Sequence, residues 1–143
     1  MTAQDILNAW NRDAKAITTI QSRPDRWFQV TLPFSTLSDK LISIYVRKEF
    51  AGWFTISDHR DLINDAYEVR DNESALPFMQ ANDLLGRGHF ANINEAGGVF
   101  TRRVDHLQML SSAMFDFAQF IQLAVNLAVL QTENEAVIAP HTY

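Results

Sequence analysis

The sequence predicts an α+β fold, on three observations. Segments near residues 27–33, 42–47 and 53–57 alternate apolar and polar side chains with a period of two, the mark of half-buried strands. Apolar residues recur at helical spacing through the first seventeen positions. The stretch from Val104 to Leu130 is apolar over most of a helical circumference, so it needs cover on several sides. With 143 residues, 47% hydrophobic and 20% charged, the chain is long enough to bury a core as one domain. The expected domain is 1–131, and the polar, Pro140-containing end 132–143 is expected to be a flexible tail.

The first element is expected to be an amphipathic helix. Thr2 and Asp5 have the spacing of a capping box, and Ala3, Ile6, Leu7, Trp10, Ala14 and Ile17 mark one face. Pro24 breaks that pattern within Ser22 to Arg26. Phe28, Val30 and Leu32 then alternate with Trp27, Gln29 and Thr31 until Pro33, which is expected to stop the strand. Ile42, Ile44 and Val46 alternate with Ser43, Tyr45 and Arg47, and Phe54 and Ile56 with Trp53, Thr55 and Ser57. The intervening loops, 35–40 and 48–52, are short enough for a three-stranded antiparallel meander.

Ser57 or Asp58 can cap a short helix reaching about Val69, with Leu62, Ile63, Ala66 and Tyr67 as its apolar side and Asp61 complementing its dipole. A second short helix is expected from a Ser74 cap, with Pro77 in its first turn, to Gly86. Phe90 to Asn94 and Val99 to Arg103 flank Gly97-Gly98 and suggest a weak second hairpin. In the last helix Asp116, Gln119, Gln122 and Asn126 form a narrow polar stripe. Leu107, Leu110, Met114, Phe117, Phe120, Ile121, Leu123, Leu127 and Leu130 cover the remainder. An apolar arc wider than one face leaves surplus surface, so a homodimer through Val104 to Leu130 is expected.

Charge and composition narrow the function classes. A formal charge of −5 opposes general affinity for phosphate backbones, so nucleic acid is not an expected partner. The absence of cysteine removes disulfides and thiolate metal sites, and suits a reducing compartment, so a cytoplasmic location is expected. Met1 to Trp10 is polar and acidic where an export signal would be basic and then apolar. A membrane span over Leu107 to Leu130 would place Asp116 and three carboxamides near mid-bilayer, which is costly, so no membrane is expected.

Three strand segments carry a family likeness: Val30-Thr31-Leu32-Pro33-Phe34, Ile42-Ser43-Ile44-Tyr45-Val46, and Gly52-Trp53-Phe54-Thr55-Ile56-Ser57-Asp58, with Ala124 to Leu130 in the late helix. In this wording, over roughly Asp5 to Leu130, the chain resembles the prokaryotic and phage "domain of unknown function 1828" family. That family has a strand ending in Thr-Pro-Phe, a strand of the Ile-x-Val-Tyr-Val kind, and a glycine turn into Leu-Thr-Asp-Asp-Gly. Here Leu32 displaces the Thr before Pro33, and His59-Arg60 stands where Asp-Gly is usual, so no role of that turn carries over. The resemblance implies an uncharacterised intracellular protein encoded by a phage or prophage, with no activity to transfer.

Two groups of residues are candidate sites. Ser57-Asp58-His59-Arg60-Asp61 gathers carboxylates and a histidine where a strand hands over to the next element, a set able to bind a ligand or metal or move a proton. Capping by Asp58 and dipole compensation by Asp61, with His59 and Arg60 turned to water, explains the same residues structurally. Alternation also places Trp27, Tyr45, Arg47 and Trp53 on one sheet face, suited to anchoring a partner or stacking on bases. The first helix, through Ile6, Leu7 and Trp10, would otherwise cover that face. His59, His89, His106 and His141 lack zinc-site spacing, and Gly86-Arg87-Gly88 and Gly97-Gly98 lack the strand-to-helix context of a phosphate loop. No catalytic set, metal site or cofactor is expected.

The combined expectation is a non-enzymatic protein-binding accessory factor, phage- or mobile-element-encoded, acting on a host protein such as a defence protein. Its binding residues would be Trp27, Tyr45, Arg47, Trp53, Asp58, His59 and Arg60. The alternative is a small metal- or nucleotide-dependent enzyme or ligand-binding domain using Asp58, His59 and Asp61.

Overall fold

The computed structural model describes residues 1–6, 19–69 and 75–138, with side chains as far as residue 134. The fold is α+β. One six-stranded antiparallel sheet comprises β1 (Thr19–Ser22), β2 (Phe28–Ser35), β3 (Leu41–Lys48), β4 (Phe54–Ser57), β5 (Asn94–Ala96) and β6 (Val99–Val104), ordered β1-β2-β3-β4-β6-β5. Two helices, α1 (Leu76–Gly86) and α2 (Leu110–Ile138), pack together and onto the sheet.

The meander is present as β2-β3-β4, in a register that pairs Val30 with Ile44 and Val46 with Ile56. This register puts the apolar member of each alternating strand on one face. Val30, Leu32, Ile42, Ile44, Val46 and Ile56 are all buried there. The second hairpin joins the same sheet, because β6 pairs with β4 from Phe54↔Val104 to Ser57↔Thr101. Strand β1 has a single large apolar residue, Ile20, and so no apolar alternation to mark it, and its four residues are exposed at the sheet edge. Pro33 does not end β2, which runs on to Ser35. The pairing with β3 shifts between Thr31 and Ser35, and such an irregularity tolerates a residue with no N–H.

The N-terminal capping box is formed: Thr2 N–H donates to Asp5 Oδ2 at 2.9 Å and Asp5 N–H to Thr2 Oγ1 at 3.2 Å. Residues 3–6 are helical. The expected apolar face beyond Ile6, including Leu7, Trp10, Ala14 and Ile17, lies outside the described residues, as does the Ser74 cap. Helix α1 begins at Leu76 after Ala75, which has a left-handed φ of 51° and makes no side-chain cap.

Helix α2 begins later than expected. Val104 still belongs to β6, and a single 3-10 turn over Leu107–Met109 precedes Leu110. Its end is also later, since the helix passes Leu130 and the expected tail boundary to reach Ile138. Phe117, Phe120, Ile121, Ala124, Val125 and Ala128 are wholly buried against the sheet and α1. The segment Leu107–Asn134 has the length and hydropathy of a membrane span, and 44% of its most apolar window is enclosed by the rest of the chain. Its polar stripe ties down the β2–β3 loop: Asn126 Oδ1 accepts from Leu37 N–H at 2.8 Å, and Gln122 Nε2 donates to the Ser35 carbonyl at 2.9 Å.

The short helix expected from Ser57 or Asp58 to Val69 is not formed. Residues 58–69 make a succession of turns in which His59, Arg60, Asp65 and Glu68 all have positive φ, incompatible with a continuous right-handed helix. Leu62, Tyr67 and Val69 are buried, while Ala66 is exposed, so the apolar spacing serves a packed loop instead.

Candidate functional site

The sheet face turned away from α2 carries the site. Pairing of Gln29 with Tyr45, Tyr45 with Ser57, Arg47 with Thr55 and Thr55 with Arg103 lines these side chains up across four strands. The face therefore has aromatic rings and cations at its centre, flanked by hydroxyls.

The 58–61 turn folds back over that face because Asp58 pins its start. The Asp58 carboxylate is fully buried. Oδ1 accepts from the backbone N–H of Phe100 at 2.9 Å and of Arg60 at 3.3 Å, and Oδ2 accepts from Leu62 N–H at 3.3 Å. Asp58 N–H donates in turn to the Phe100 carbonyl at 3.2 Å. Asp58 is thus a staple between the loop and β6, and not the cap of a helix. Burial raises its pKa, and these amide hydrogen bonds oppose the rise.

Pinned in this way, the turn delivers His59 onto the face. Its imidazole stacks on Tyr45 with centroids 3.9 Å apart and planes at 16°, and meets Trp27 edge-on at 4.5 Å. The reading that turns both side chains to water is corrected for His59, which is half-buried; Arg60 is exposed, and its Nη1 donates to the Gly97 carbonyl at 2.6 Å, joining the turn to the β5–β6 hairpin. Burial, with a smaller contribution from the Arg47 charge, lowers the His59 pKa, so the ring is neutral at pH 7.

Arg47 lies over the Trp27 ring at 4.3 Å and is held by Glu49, whose Oε1 accepts from Nε at 2.7 Å and from Thr55 Oγ1 at 3.2 Å. The Arg47 hydrogen bonds keep the Glu49 carboxyl below its usual pKa. Trp27, Arg47, His59 and Arg60, with Thr55, Ser57, Val99 and Thr101, surround an open cleft of about 430 Å³. Trp53 shares the face by alternation, but its ring lies under Arg103 at 4.0 Å and does not line the cleft.

The structure therefore brings together Trp27, Tyr45, Arg47, His59 and Arg60, assigns Asp58 to the scaffold and sets Trp53 apart. Val99 and Thr101 were not among the expected site residues. Finding them requires knowing that β6 pairs with β4, and the weak alternation of the second hairpin does not announce that partner.

As a metal centre the arrangement fails, because Asp58 already accepts three amide hydrogen bonds. No group of three or more metal-ligating side chains occurs among the described residues. Ser57 and His59 both line the cleft, but the hydrogen bond between them runs from the His59 backbone N–H to Ser57 Oγ at 3.0 Å, and the contacts described there are stacking, cation–π and hydrogen bonding. Comparison of the chain with family models, curated proteins and solved structures finds no match in any of the three.

Proposed function

We propose that this protein is a non-enzymatic binding factor that docks a partner protein on the sheet face opposite α2. The observation carrying this reading is the Arg47–Trp27–His59–Tyr45 stack, which holds half-buried aromatic rings in fixed orientations beside an open cleft. Pre-set aromatic and arginine side chains lose little entropy on association, and such residues dominate the energetics of protein interfaces. In this reading the chain is cytoplasmic and phage- or mobile-element-encoded, and acts on a host protein, with inhibition of a defence protein as the simplest role. The resemblance of its strand wording to the uncharacterised phage family supports that setting. A homodimer through α2 belongs to the same reading, supported by Phe115, Leu123 and Leu130, which are 40–46% exposed on the helix.

The test is affinity capture with the intact chain and with Trp27→Ala and Arg47→Glu variants. A stoichiometric partner retained by the parent and lost from both variants is expected. A partner retained equally by all three chains, or no partner in any host lysate, overturns the reading.

A further inference from the structure

Further along β3, towards Ser43, the same face has a second hollow of about 270 Å³, lined by Gln29, Lys40, Ser43, Tyr45, Asp61 and Tyr67. Most of its polar groups are already matched. Gln29 Nε2 donates to Ser43 Oγ at 3.2 Å, Gln29 Oε1 accepts from Arg23 Nε at 2.7 Å, and Ser43 Oγ also pairs with Thr31 Oγ1 at 3.0 Å. Lys40 Nζ is paired with Glu68 at 3.2 Å.

Three oxygen-bearing groups are left over. The Tyr67 hydroxyl is buried, in a residue only 3% exposed, and no well-formed hydrogen bond reaches it among the described residues, although the Ser43 backbone lies close enough to favour its ionised form. A buried hydroxyl without a well-formed hydrogen bond is destabilising, and a donor held in the hollow would satisfy it. The Asp61 carboxyl and the Tyr45 hydroxyl likewise have no hydrogen-bond partner among the described residues, and the Asp61 charge acts on both phenols. One carboxylate and two phenols present three acceptor groups, four oxygen atoms in all, and a single negative charge.

We propose that this hollow binds a primary ammonium group, with Asp61 as counter-ion and the Tyr45 and Tyr67 hydroxyls accepting its remaining N–H bonds. An R–NH₃⁺ group carries three donors and one positive charge, matching that inventory. A water molecule would satisfy Tyr67 and leave the Asp61 charge uncompensated. A divalent metal would find one carboxylate where it needs several. An anion would face Asp61, and Lys40, the one lining cation among the described residues, is already paired with Glu68. A quaternary ammonium has no N–H and would leave the tyrosine hydroxyls unmatched. The ammonium can be that of a free small amine or of a lysine side chain on the docked partner. The second source rests on the binding role proposed above.

The test follows the Asp61 carboxyl carbon by NMR in the full chain at pH 8 during titration with n-butylamine, Nα-acetyl-lysine methylamide and tetramethylammonium. At that pH both Asp61, whose pKa is pushed up to about 7 by burial and then by Asp58, and the alkylammonium are charged. Burial raises the pKa of the Tyr45 and Tyr67 phenols that face it; Asp58 also acts on Asp61, and His59, stacked on Tyr45, has its pKa lowered, so the pH 5.5 arm is repeated in His59→Phe to isolate Asp61. The two primary amines are expected to give saturable shifts, at least tenfold weaker for tetramethylammonium and at least tenfold weaker again at pH 5.5. Asp61→Asn is expected to weaken amine binding at least tenfold. Tyr67→Phe is expected to weaken it several-fold while leaving the Tm of the free protein nearly unchanged, since the hydroxyl makes no well-formed hydrogen bond there. Tighter binding of the lysine amide identifies a polypeptide side chain as the source, and equal binding a free amine. Absence of a saturable shift, equal binding of tetramethylammonium, or amine affinity unchanged in Asp61→Asn overturns the proposal. None of these results would affect partner capture through Trp27 and Arg47, so the two readings fail separately.

Discussion

The imidazole of His59 lies flat on the ring of Tyr45, 3.9 Å away and 16° from parallel, and closes the edge of the candidate cleft. Each such aromatic contact contributes about 0.5–1.5 kcal/mol beyond area burial. With the second contact to Trp27, His59→Ala should lower stability by about 1–2 kcal/mol in urea denaturation. The His59 pKa is below that of the unfolded chain, so between those two values the unfolded state binds more protons and stability falls as the pH is lowered. His59→Phe keeps a stacking ring and should remove that pH dependence. A pH–stability profile superimposable on that of the parent would contradict the stacking assignment.

Asp58 is expected to be the least replaceable residue of the turn. Alanine would orphan the N–H groups of Phe100, Leu62 and Arg60 at once, in a site closed to water. At about 1–3 kcal/mol for each unmatched buried donor, with partial relaxation, Asp58→Ala should cost roughly 3 kcal/mol or more. Asp58→Asn retains one acceptor oxygen and should cost less. Thermal denaturation of the two variants should rank them in that order, and equal Tm values would show that the staple is not what holds the turn.

The two levels of legibility differ for a physical reason. Period-two alternation in 28–32, 42–46 and 54–57 reports which face of a strand is buried, and Val30, Ile44 and Ile56 are indeed buried together. The long helix was legible because an apolar arc must be covered, although its start was displaced because Val104 completes the β6 ladder opposite Phe54 before the helix begins. The 58–69 segment misled because Leu62, Ile63, Ala66 and Tyr67 have helical spacing, while four left-handed residues bend the chain into turns. Local spacing does not reveal that Asp58 finds its partner forty-two residues away at Phe100. Trp27, Tyr45 and Arg47 follow from alternation alone, whereas the arrival of His59 between them depends on that long-range staple.

Gly98 is where the hairpin meets the turn. Its φ is +84°, and a Cβ there would lie 3.1 Å from Ile63 Cδ1 and 3.4 Å from Arg60 Cζ. Backbone strain and the displaced contacts act in the same direction, so Gly98→Ala should cost about 1–2 kcal/mol. Because the neighbouring Gly97 carbonyl accepts from Arg60, the variant should also loosen the cleft wall. Amide hydrogen exchange should rise at residues 58–62 in the variant, and exchange unchanged there would separate the hairpin from the turn.

Phe120 touches Phe90, Phe100 and Phe117 at centroid distances of 5.3, 5.1 and 6.0 Å, joining α2 to β6 and to the connection that precedes the hairpin. It is fully buried, so Phe120→Ala should cost about 3–5 kcal/mol. Phe120→Leu retains most of the volume and should cost clearly less. Chemical denaturation of both variants checks the order, and a loss below 1 kcal/mol for alanine would mean that α2 is held elsewhere.

Asp61 should oppose the His59 effect on stability. Its pKa in the folded chain is about 7 against 3.8 for the ordinary carboxyl, because burial and then the Asp58 charge disfavour ionisation. Between those values the folded state binds more protons than the unfolded state, so this group's contribution to stability declines as pH rises through about 4 to 7 and is constant above. Fully enclosed, such a difference would correspond to roughly 4 kcal/mol, and solvent access at the hollow reduces it to roughly 2 kcal/mol. Asp61→Asn should therefore raise stability at pH 8 by about that amount and leave it nearly unchanged at pH 4. Urea midpoints at the two pH values test this directly. A variant destabilised at pH 8 would show that the ionised carboxylate has a compensating cation in the free protein, and that the hollow is already filled by the chain itself.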